Sequence, residues 1–313
     1  MLPEPASASP AAVADRWVTR AGGRPLFVFA HQDDEAVLAG LICRIIGRDE
    51  RGTFVWWTNG DGLAPAARMA PDVYARIRIA ESAEALRRLG ASEDRKVDLA
   101  SSEIDNYRRL SHVAAGGARR SRAIEYFESE ARRVEQAVRQ AEPDRVFVLA
   151  WQGGHPEHDL VHVMTARALR RLRRETGRPI PLIHCPAYEY VIACALRFKP
   201  HYRGDRRCIS LSPAELEQKR HVFDAYPSQQ QLLERFRRVI TVAGLLSGLR
   251  GRLFTVDDYL SKEEYGVVDP RLDYRRSTHR LEVLNYMLDD FEGIPIRFST
   301  MVRPVVEALL SRT

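Results

Sequence analysis

The hydropathy pattern is dominated by an unbroken apolar run, Leu26-Phe27-Val28-Phe29-Ala30, that ends abruptly in His31-Gln32-Asp33-Asp34-Glu35. A short apolar run without alternation predicts a strand buried on both faces, as at the centre of a parallel sheet. Polar residues directly after it lie at the carboxyl edge of an open α/β sheet, where ligands bind. Val37, Leu38, Leu41, Ile42, Ile45 and Ile46 then keep helical spacing and predict one helix from Glu35 to Gly47. Residues 53–57 predict a second strand running into the polar turn Thr58-Asn59-Gly60-Asp61-Gly62, and 73–89 a long helix closed by Gly90. A weaker strand at 97–100, a polar segment at 101–117 and a helix over 121–140 follow. Arg145-Val146-Phe147-Val148-Leu149-Ala150 is the second strongly apolar strand, and it ends in Trp151-Gln152-Gly153-Gly154-His155-Pro156-Glu157-His158-Asp159. A further helix runs to about residue 174, with a strand near 180–185. This alternation predicts an α/β fold, a Rossmann-like doubly wound and mostly parallel sheet. Residues 1–23 read as a mobile arm and 24–240 as the main domain. From 241 to 313 the alternation fades, and that stretch reads as a C-terminal extension or subdomain packing on the core.

Composition narrows the function classes. With 48 basic and 42 acidic residues the net charge of +6 is a mixed surface, and the arginines scatter over predicted helices. A nucleic-acid binder concentrates basic charge on one stripe, so nucleic acid is not the expected partner. The four cysteines, Cys43, Cys185, Cys194 and Cys208, form no C-x-x-C pair and read as buried free thiols. No stretch approaches the roughly 18 apolar residues of a membrane span, and residues 1–19 lack the apolar core of a secretory signal. The expected setting is therefore cytoplasmic.

The chemistry-bearing residues follow the two most apolar strands. His31, Asp34 and His158 offer two nitrogen ligands and one oxygen from strand ends that adjacent parallel strands bring together. Three protein ligands with an open position are the arrangement of a catalytic zinc, whose bound water is acidified towards neutral pH. Asp33, beside the proposed ligand Asp34, is placed to take the proton. His155 precedes His158 by three residues, and Pro156 at a helix start turns both imidazoles towards one site, where His155 stabilises or protonates the reacting group. The plainer reading of Asp33-Asp34 is a helix N-cap. The conjunction of two polar clusters, each after a central strand, favours the metal site.

These motifs also resemble a known family. His31-Gln32-Asp33-Asp34-Glu35 is similar to the Ala-His-Pro-Asp-Asp-Glu signature of the PIG-L/LmbE zinc-dependent N-deacetylases, and His155-Pro156-Glu157-His158 to their His-Pro-Asp-His signature. Arg78-Ile79-Ala80-Glu81 with Leu89-Gly90 resembles the family's Arg-x-x-Glu…Leu-Gly helix. Lys219 to Gln229, ending Tyr226-Pro227-Ser228-Gln229, resembles its Lys…Tyr/His-x-Ser-Gln segment. The resemblance covers about residues 24–240. It implies a Rossmann-like fold and one zinc per chain on His31, Asp34 and His158. It further implies Asp33 as general base, His155 at the oxyanion or leaving amine, and hydrolysis of an N-acetyl or other N-acyl group from an amino sugar or glycosylated small molecule. Natural-product biosynthesis is one compatible setting. An amidase acting on a larger N-acyl sugar conjugate, and a non-catalytic sugar- or nucleotide-binding module, are the alternatives. The binding module is disfavoured because no G-x-G-x-x-G follows the first strand. A homo-oligomer is compatible with the pattern. Gln32 replaces the family's usual proline, and Gly153-Gly154 stand where some relatives carry a catalytic tyrosine.

Arg78 is a candidate for substrate hydroxyls or phosphate, with Arg76 as its competitor. Asp105 stands where relatives place a substrate-binding aspartate after the third strand, and Asn59 and Asp61 line the pocket or form the turn. Arg167 to Arg174 reads as a solvated helix face, His162 as core or a neighbour of the ligands, and Asp257-Asp258-Tyr259 and Glu263-Glu264-Tyr265 as surface loop. Trp56 and Trp57 are expected to point to opposite faces of the sheet.

Overall fold

The computed structural model describes residues 22–47, 51–188, 196–199, 201–248 and 253–311. The arm at 1–23 lies almost wholly outside the described residues, and so does Cys194. Seven strands form the central sheet: β1 (Pro25–Phe29), β2 (Thr53–Thr58), β3 (Lys96–Ser101), β4 (Arg145–Leu149), β5 (Leu182–Cys185), β6 (Arg207–Ser210) and β7 (Lys262–Val267). Their order is β3-β2-β1-β4-β5-β7-β6. The first five are parallel, and β7 runs antiparallel to both β5 and β6. The strand order reverses at β1 and β4, so the crevice beyond these two strands is the switch point where α/β folds bind ligands.

Eleven α-helices accompany the sheet among the described residues: besides the short Ala64–Ala67 and Val256–Leu260 they are α1 (Asp34–Val37), α2 (Ala39–Ile46), α3 (Pro71–Leu89), α4 (Glu103–Ala115), α5 (Gly117–Ala141), α6 (Pro156–Thr176), α7 (Pro213–Phe223), α8 (Gln230–Gly248) and α9 (Arg303–Ser311). Two apolar layers sandwich the sheet. Leu26, Val28 and Trp57 face a layer built with α5, α6 and α9, whereas Phe27, Phe29 and Trp56 face one built with α2, α3 and α7. The tryptophan pair therefore splits as the period of two requires. Phe27 stacks against both Phe54 and Phe147 with ring centroids 4.9 Å apart, tying β1 to its two neighbours.

Several local expectations are corrected. The helix expected over 35–47 breaks at Leu38, because the Glu263 carboxylate accepts from the backbone N–H of Gly40 (3.0 Å) and Leu41 (2.7 Å) and so starts α2 afresh. Glu263, Glu264 and Tyr265 are thus buried in β7 rather than on a surface loop. Lys219, itself buried, donates to Glu263 (2.7 Å) and to the Val37 carbonyl (2.8 Å). The polar segment after β3 is the helix α4. Its apolar stripe is only Leu110 and Val113 with Asn106, too sparse to register against the surrounding polar residues. Arg167 is buried, so the arginine-rich face of α6 becomes solvated only nearer the helix end, at Arg173 and Arg174. Of the described cysteines, Cys185 is buried and Cys208 exposed. The notional boundary at residue 240 falls inside α8, and β7 joins the sheet between β5 and β6.

Candidate metal and catalytic site

β1 and β4 pair in register, which sets the turns after Phe29 and Leu149 side by side. His31 leaves the first turn, and His158 sits in the first turn of α6, which Pro156 opens and His155 caps. His31 Nδ1 lies 3.0 Å from His158 Nε2. Asp34 Oδ1 lies 3.2 Å from that same His158 nitrogen, and Asp34 Oδ2 lies 3.8 Å from His31 Nδ1. The three expected ligands therefore converge on one point.

Their surroundings fix which atoms face that point. His31 Nε2 lies 2.8 Å from the Glu157 carboxylate, whose other oxygen accepts from Asn106 Nδ2 at 2.6 Å. A carboxylate on the outer nitrogen holds a proton there and aims Nδ1 inward, where a cation would take the place of the second proton, the arrangement that orients metal-binding histidines. Asp34 Oδ2 accepts from the backbone N–H of Ala30 (3.0 Å) and His31 (2.8 Å). Burial by itself would lower the His31 pKa, but Glu103, Glu157 and Asp34 outweigh it and raise it to about 10. Burial likewise opposes ionisation of Asp34, yet His158 and His31 hold its pKa below the usual carboxylate range. Burial lowers the pKa of His158, with His31 adding to the effect against Asp34. Two inward imidazole nitrogens and a carboxylate oxygen inside an excess of carboxylates suit a borderline-soft divalent cation such as zinc. The donor set fits the metal that the sequence pattern implies.

Asp33 sits beside this point in an uncommon conformation, with φ 120°. Burial pushes its pKa up to about 6 while Arg78 opposes the rise. The Arg78 guanidinium is buried and engaged by the protein at both terminal nitrogens. It donates to Asp33 Oδ2 (2.9 Å), to the Gln32 carbonyl, to Glu81 Oε2 (3.2 Å) and to Ser228 Oγ (3.3 Å). Arg78 is thus placed to hold Asp33 rather than substrate, and Arg76 pairs with Asp72 on the surface. Ser228 also donates to Glu81 at 2.6 Å, so the third and fourth sequence blocks meet behind Asp33. Gln32, fully buried, donates to the Thr58 carbonyl (2.8 Å) and so restrains the turn where a proline would otherwise do so.

Other candidates fall elsewhere. Asp105 pairs with Arg108 on the half-exposed side of α4. Ser102 caps that helix at the Asp105 N–H, which leaves Glu103 in the first turn. Glu103 is the acid near the site: it accepts from Thr58 Oγ1 (3.1 Å), and burial lifts its pKa to about 7. Asn59 shares hydrogen bonds with Asp61 (3.4 and 3.1 Å), and Asp61 accepts from Ser102 Oγ and the Glu103 N–H (both 2.7 Å). Both residues build the turn that seats α4. His162 is core, its nitrogens on the Leu149 carbonyl (2.7 Å) and Tyr274 (3.1 Å).

His155 adds a third imidazole; it, His31 and His158 can each present a nitrogen within 4.8 Å of the others. Burial, with His31 and His158 adding to it, holds its pKa well below the usual histidine value. Sequence reasoning missed Tyr188, Tyr107 and Asp289. Tyr188 stacks on His158 at 5.3 Å between ring centroids. The Tyr107 hydroxyl lies 3.1 Å from His155 Nε2 and donates to Asp289 at 2.5 Å. Gly154 was the one sequence signal for Tyr188, and nothing local marked Tyr107 or Asp289. A Cβ on Gly153 would collide with Thr278 and Asn285, and one on Gly154 with the Tyr188 backbone.

Comparison with known proteins agrees with this arrangement. Residues 26–169 match the family described as PIG-L, GlcNAc-PI de-N-acetylase. A 1D-myo-inositol 2-acetamido-2-deoxy-alpha-D-glucopyranoside deacetylase of Kineococcus radiotolerans is 33% identical over 188 residues, 54% of this chain and 52% of that relative. The chain thus spans about half the length of the curated relative it matches. A deacetylase of the teicoplanin biosynthesis pathway shares the fold at TM-score 0.52 and 16% identity, over 78% of this chain and 99% of that one. So does GalB, the 4-carboxy-2-hydroxymuconate hydratase of Pseudomonas putida KT2440, at TM-score 0.50 and 15% identity, over 80% and 97%. The hydratase shows that this fold alone does not dictate deacetylation. Residues 26–169, which carry both signatures, are thus similar to the PIG-L family.

Proposed function

We propose that this protein is a metal-dependent N-deacetylase that hydrolyses the N-acetyl amide of an amino sugar or its glycoconjugate. The observation that carries the reading is the convergence of His31, Asp34 and His158 beside an Arg78-held Asp33 at the switch point of the sheet. The match to an acetamido-glucopyranoside deacetylase supports the substrate class. His31 Nδ1, an Asp34 carboxylate oxygen and His158 Nε2 would hold one divalent cation, zinc by donor type. Such a cation supplies Lewis acidity, polarising the amide carbonyl and acidifying water.

The chain's own groups do the rest. Asp33 accepts the proton of the attacking water; with a pKa of about 6 its carboxylate is ionised near neutral pH. Arg78 fixes that carboxylate and keeps it charged against the cost of burial. His155 presents an N–H at the developing oxyanion or the departing nitrogen. Asp33, now carrying the proton, returns it to the amine so that it leaves neutral, while the neutral His155 donates only a hydrogen bond.

The decisive test compares native protein, Asp33→Asn and His158→Ala by metal analysis and by amine release from a panel of N-acetylated amino sugars. Native protein is expected to carry about one zinc per chain. Asp33→Asn should keep that metal and lose about 10²–10⁴-fold in kcat, while His158→Ala loses both. A native protein that takes up no divalent metal would end this reading.

A further inference from the structure

The segment that follows β7 takes no part in the family match, yet it closes over the second signature. The Tyr286 N–H donates to the Gly153 carbonyl (2.8 Å), and the Tyr286 hydroxyl donates to Asp159 (2.7 Å). Thr278 donates to the Gln152 carbonyl at 2.9 Å. This contact needs glycine at 153, which has φ +73° and no room for a Cβ. The result is that Asp289, over a hundred residues away in sequence, sits at His155, with Asp289 Oδ1 3.6 Å from His155 Nε2.

Hydrogen-bond polarity runs in one direction through this contact. An ionised carboxylate only accepts, so the Tyr107 hydroxyl donates to Asp289 Oδ1. The Tyr107 oxygen is then left to accept, and its other neighbour is His155 Nε2 at 3.1 Å. On the opposite edge of the ring, His155 Nδ1 accepts from the Glu157 backbone N–H at 3.3 Å as the cap of α6. Both contacts demand the same neutral tautomer, with the proton on Nε2 and the lone pair on Nδ1.

We propose that Asp289 is a positioning residue that acts through Tyr107 to hold His155 as the Nε2–H tautomer, so that the C-terminal segment completes the catalytic site. The catalytic consequence rests on the deacetylase reading above: the Nε2 proton is the one His155 offers to the oxyanion or departing nitrogen. With Asp289 removed, the Tyr107 hydroxyl loses its acceptor and turns its own proton towards Nε2, which then has to accept. His155 no longer presents an N–H there.

The test uses the full-length, zinc-loaded protein with ¹⁵N-labelled histidine and the variants Asp289→Ala, Asp289→Asn, Asp289→Glu and Tyr107→Phe. Long-range ¹H–¹⁵N spectra at pH 8, above the value of about 7 to which burial raises Asp289, report the His155 tautomer, assigned by loss of its signals in His155→Gln. Native protein should show Nε2–H at His155, and Asp289→Ala should lose that pattern, whereas Tyr107→Phe, which removes the competing hydroxyl proton, should keep it through the Glu157 contact. On the best N-acetylated sugar of the panel, Asp289→Ala and Asp289→Asn should lose about tenfold or more in kcat, with KM within about twofold and zinc content unchanged. Asp289→Glu should recover part of it. Native kcat and an unchanged tautomer in Asp289→Ala and Asp289→Asn would overturn the proposal. So would a loss of kcat that Asp289→Glu fails to relieve and that tracks loss of zinc or of thermal stability, because that is scaffold damage. If native protein deacetylates nothing, the deacetylase reading fails, and the tautomer spectra still decide what Asp289 does to His155.

Discussion

Asp33 concentrates the chemistry of single residues in this protein. A non-glycine residue at φ 120° costs on the order of 1–3 kcal/mol, and the surroundings that hold it there include the Arg78 contact. The sign of the pH dependence follows. Burial raises the Asp33 pKa to about 6 and the working form is the carboxylate, so kcat/KM should rise with pH and level off above about 6. A bound cation draws that midpoint lower, never higher. Because Arg78 opposes the rise, Arg78→Lys, which keeps one charge but not the fork, should move the acidic limb of the profile to higher pH. Arg78→Met leaves Asp33 and Glu81 without their cation and should destabilise the fold by about 3–5 kcal/mol, the usual cost of breaking a buried ion pair from one side. Chemical denaturation checks the second outcome and a pH–rate profile the first.

At the scale of elements, loops meeting at the sheet edge constrain one another. Gly154 lies against the backbone of Tyr188 at the start of the loop after β5. Gly154→Ala should therefore push Tyr188 off His158 and cost about 1–3 kcal/mol, the range for overpacking a well-filled site, read as a lowered denaturation midpoint. On the far face, Ser212 and Glu215 form a capping box at the start of α7, and Arg44 grips the same carboxylate at 2.5 and 2.8 Å. The Arg44 hydrogen bond, with Ser212 adding to it, lowers the Glu215 pKa to about 2. A depressed carboxylate pKa contributes stability above its unfolded value and loses it as pH falls towards the folded one. Glu215→Gln should therefore flatten part of the fall in melting temperature between about pH 4.5 and 2.

For the molecule as a whole, charge is distributed against its own average. The chain carries +6, yet Asp33, Asp34, Glu103, Glu157 and Asp289 crowd one end of the sheet. An acidic cluster in a basic protein attracts cations and disfavours anions beside it. A cation that binds only the folded state stabilises it by about 2.7 kcal/mol at 100 times its Kd. Chelation should therefore lower the melting temperature and zinc should restore it. The effect should shrink as pH falls, because a cation at His31 and His158 would have to displace protons from them. Among the described residues no helix is long and apolar enough to cross a membrane.

What could be read from the sequence was whatever depends on neighbours along the chain. Two unbroken apolar runs specified the central strands β1 and β4, the period of two sent Trp56 and Trp57 to opposite faces, and residue type at the strand ends named His31, Asp33, Asp34, His155 and His158. Local pattern failed where a distant group supplies the missing partner. The break at Leu38 depends on Glu263 from β7, and the burial of Arg78 on Ser228 and Glu81. The choice of Glu103 over Asp105 depends on where Ser102 caps α4. Asp289 had no local signal at all, since its place beside His155 comes from a return of the chain across the Gly153 turn. Strands and ligand types follow from short-range sterics and hydrophobic period, which a linear sequence displays. The partners of buried charges are settled only when the folded chain brings together groups that water would otherwise have kept solvated and apart.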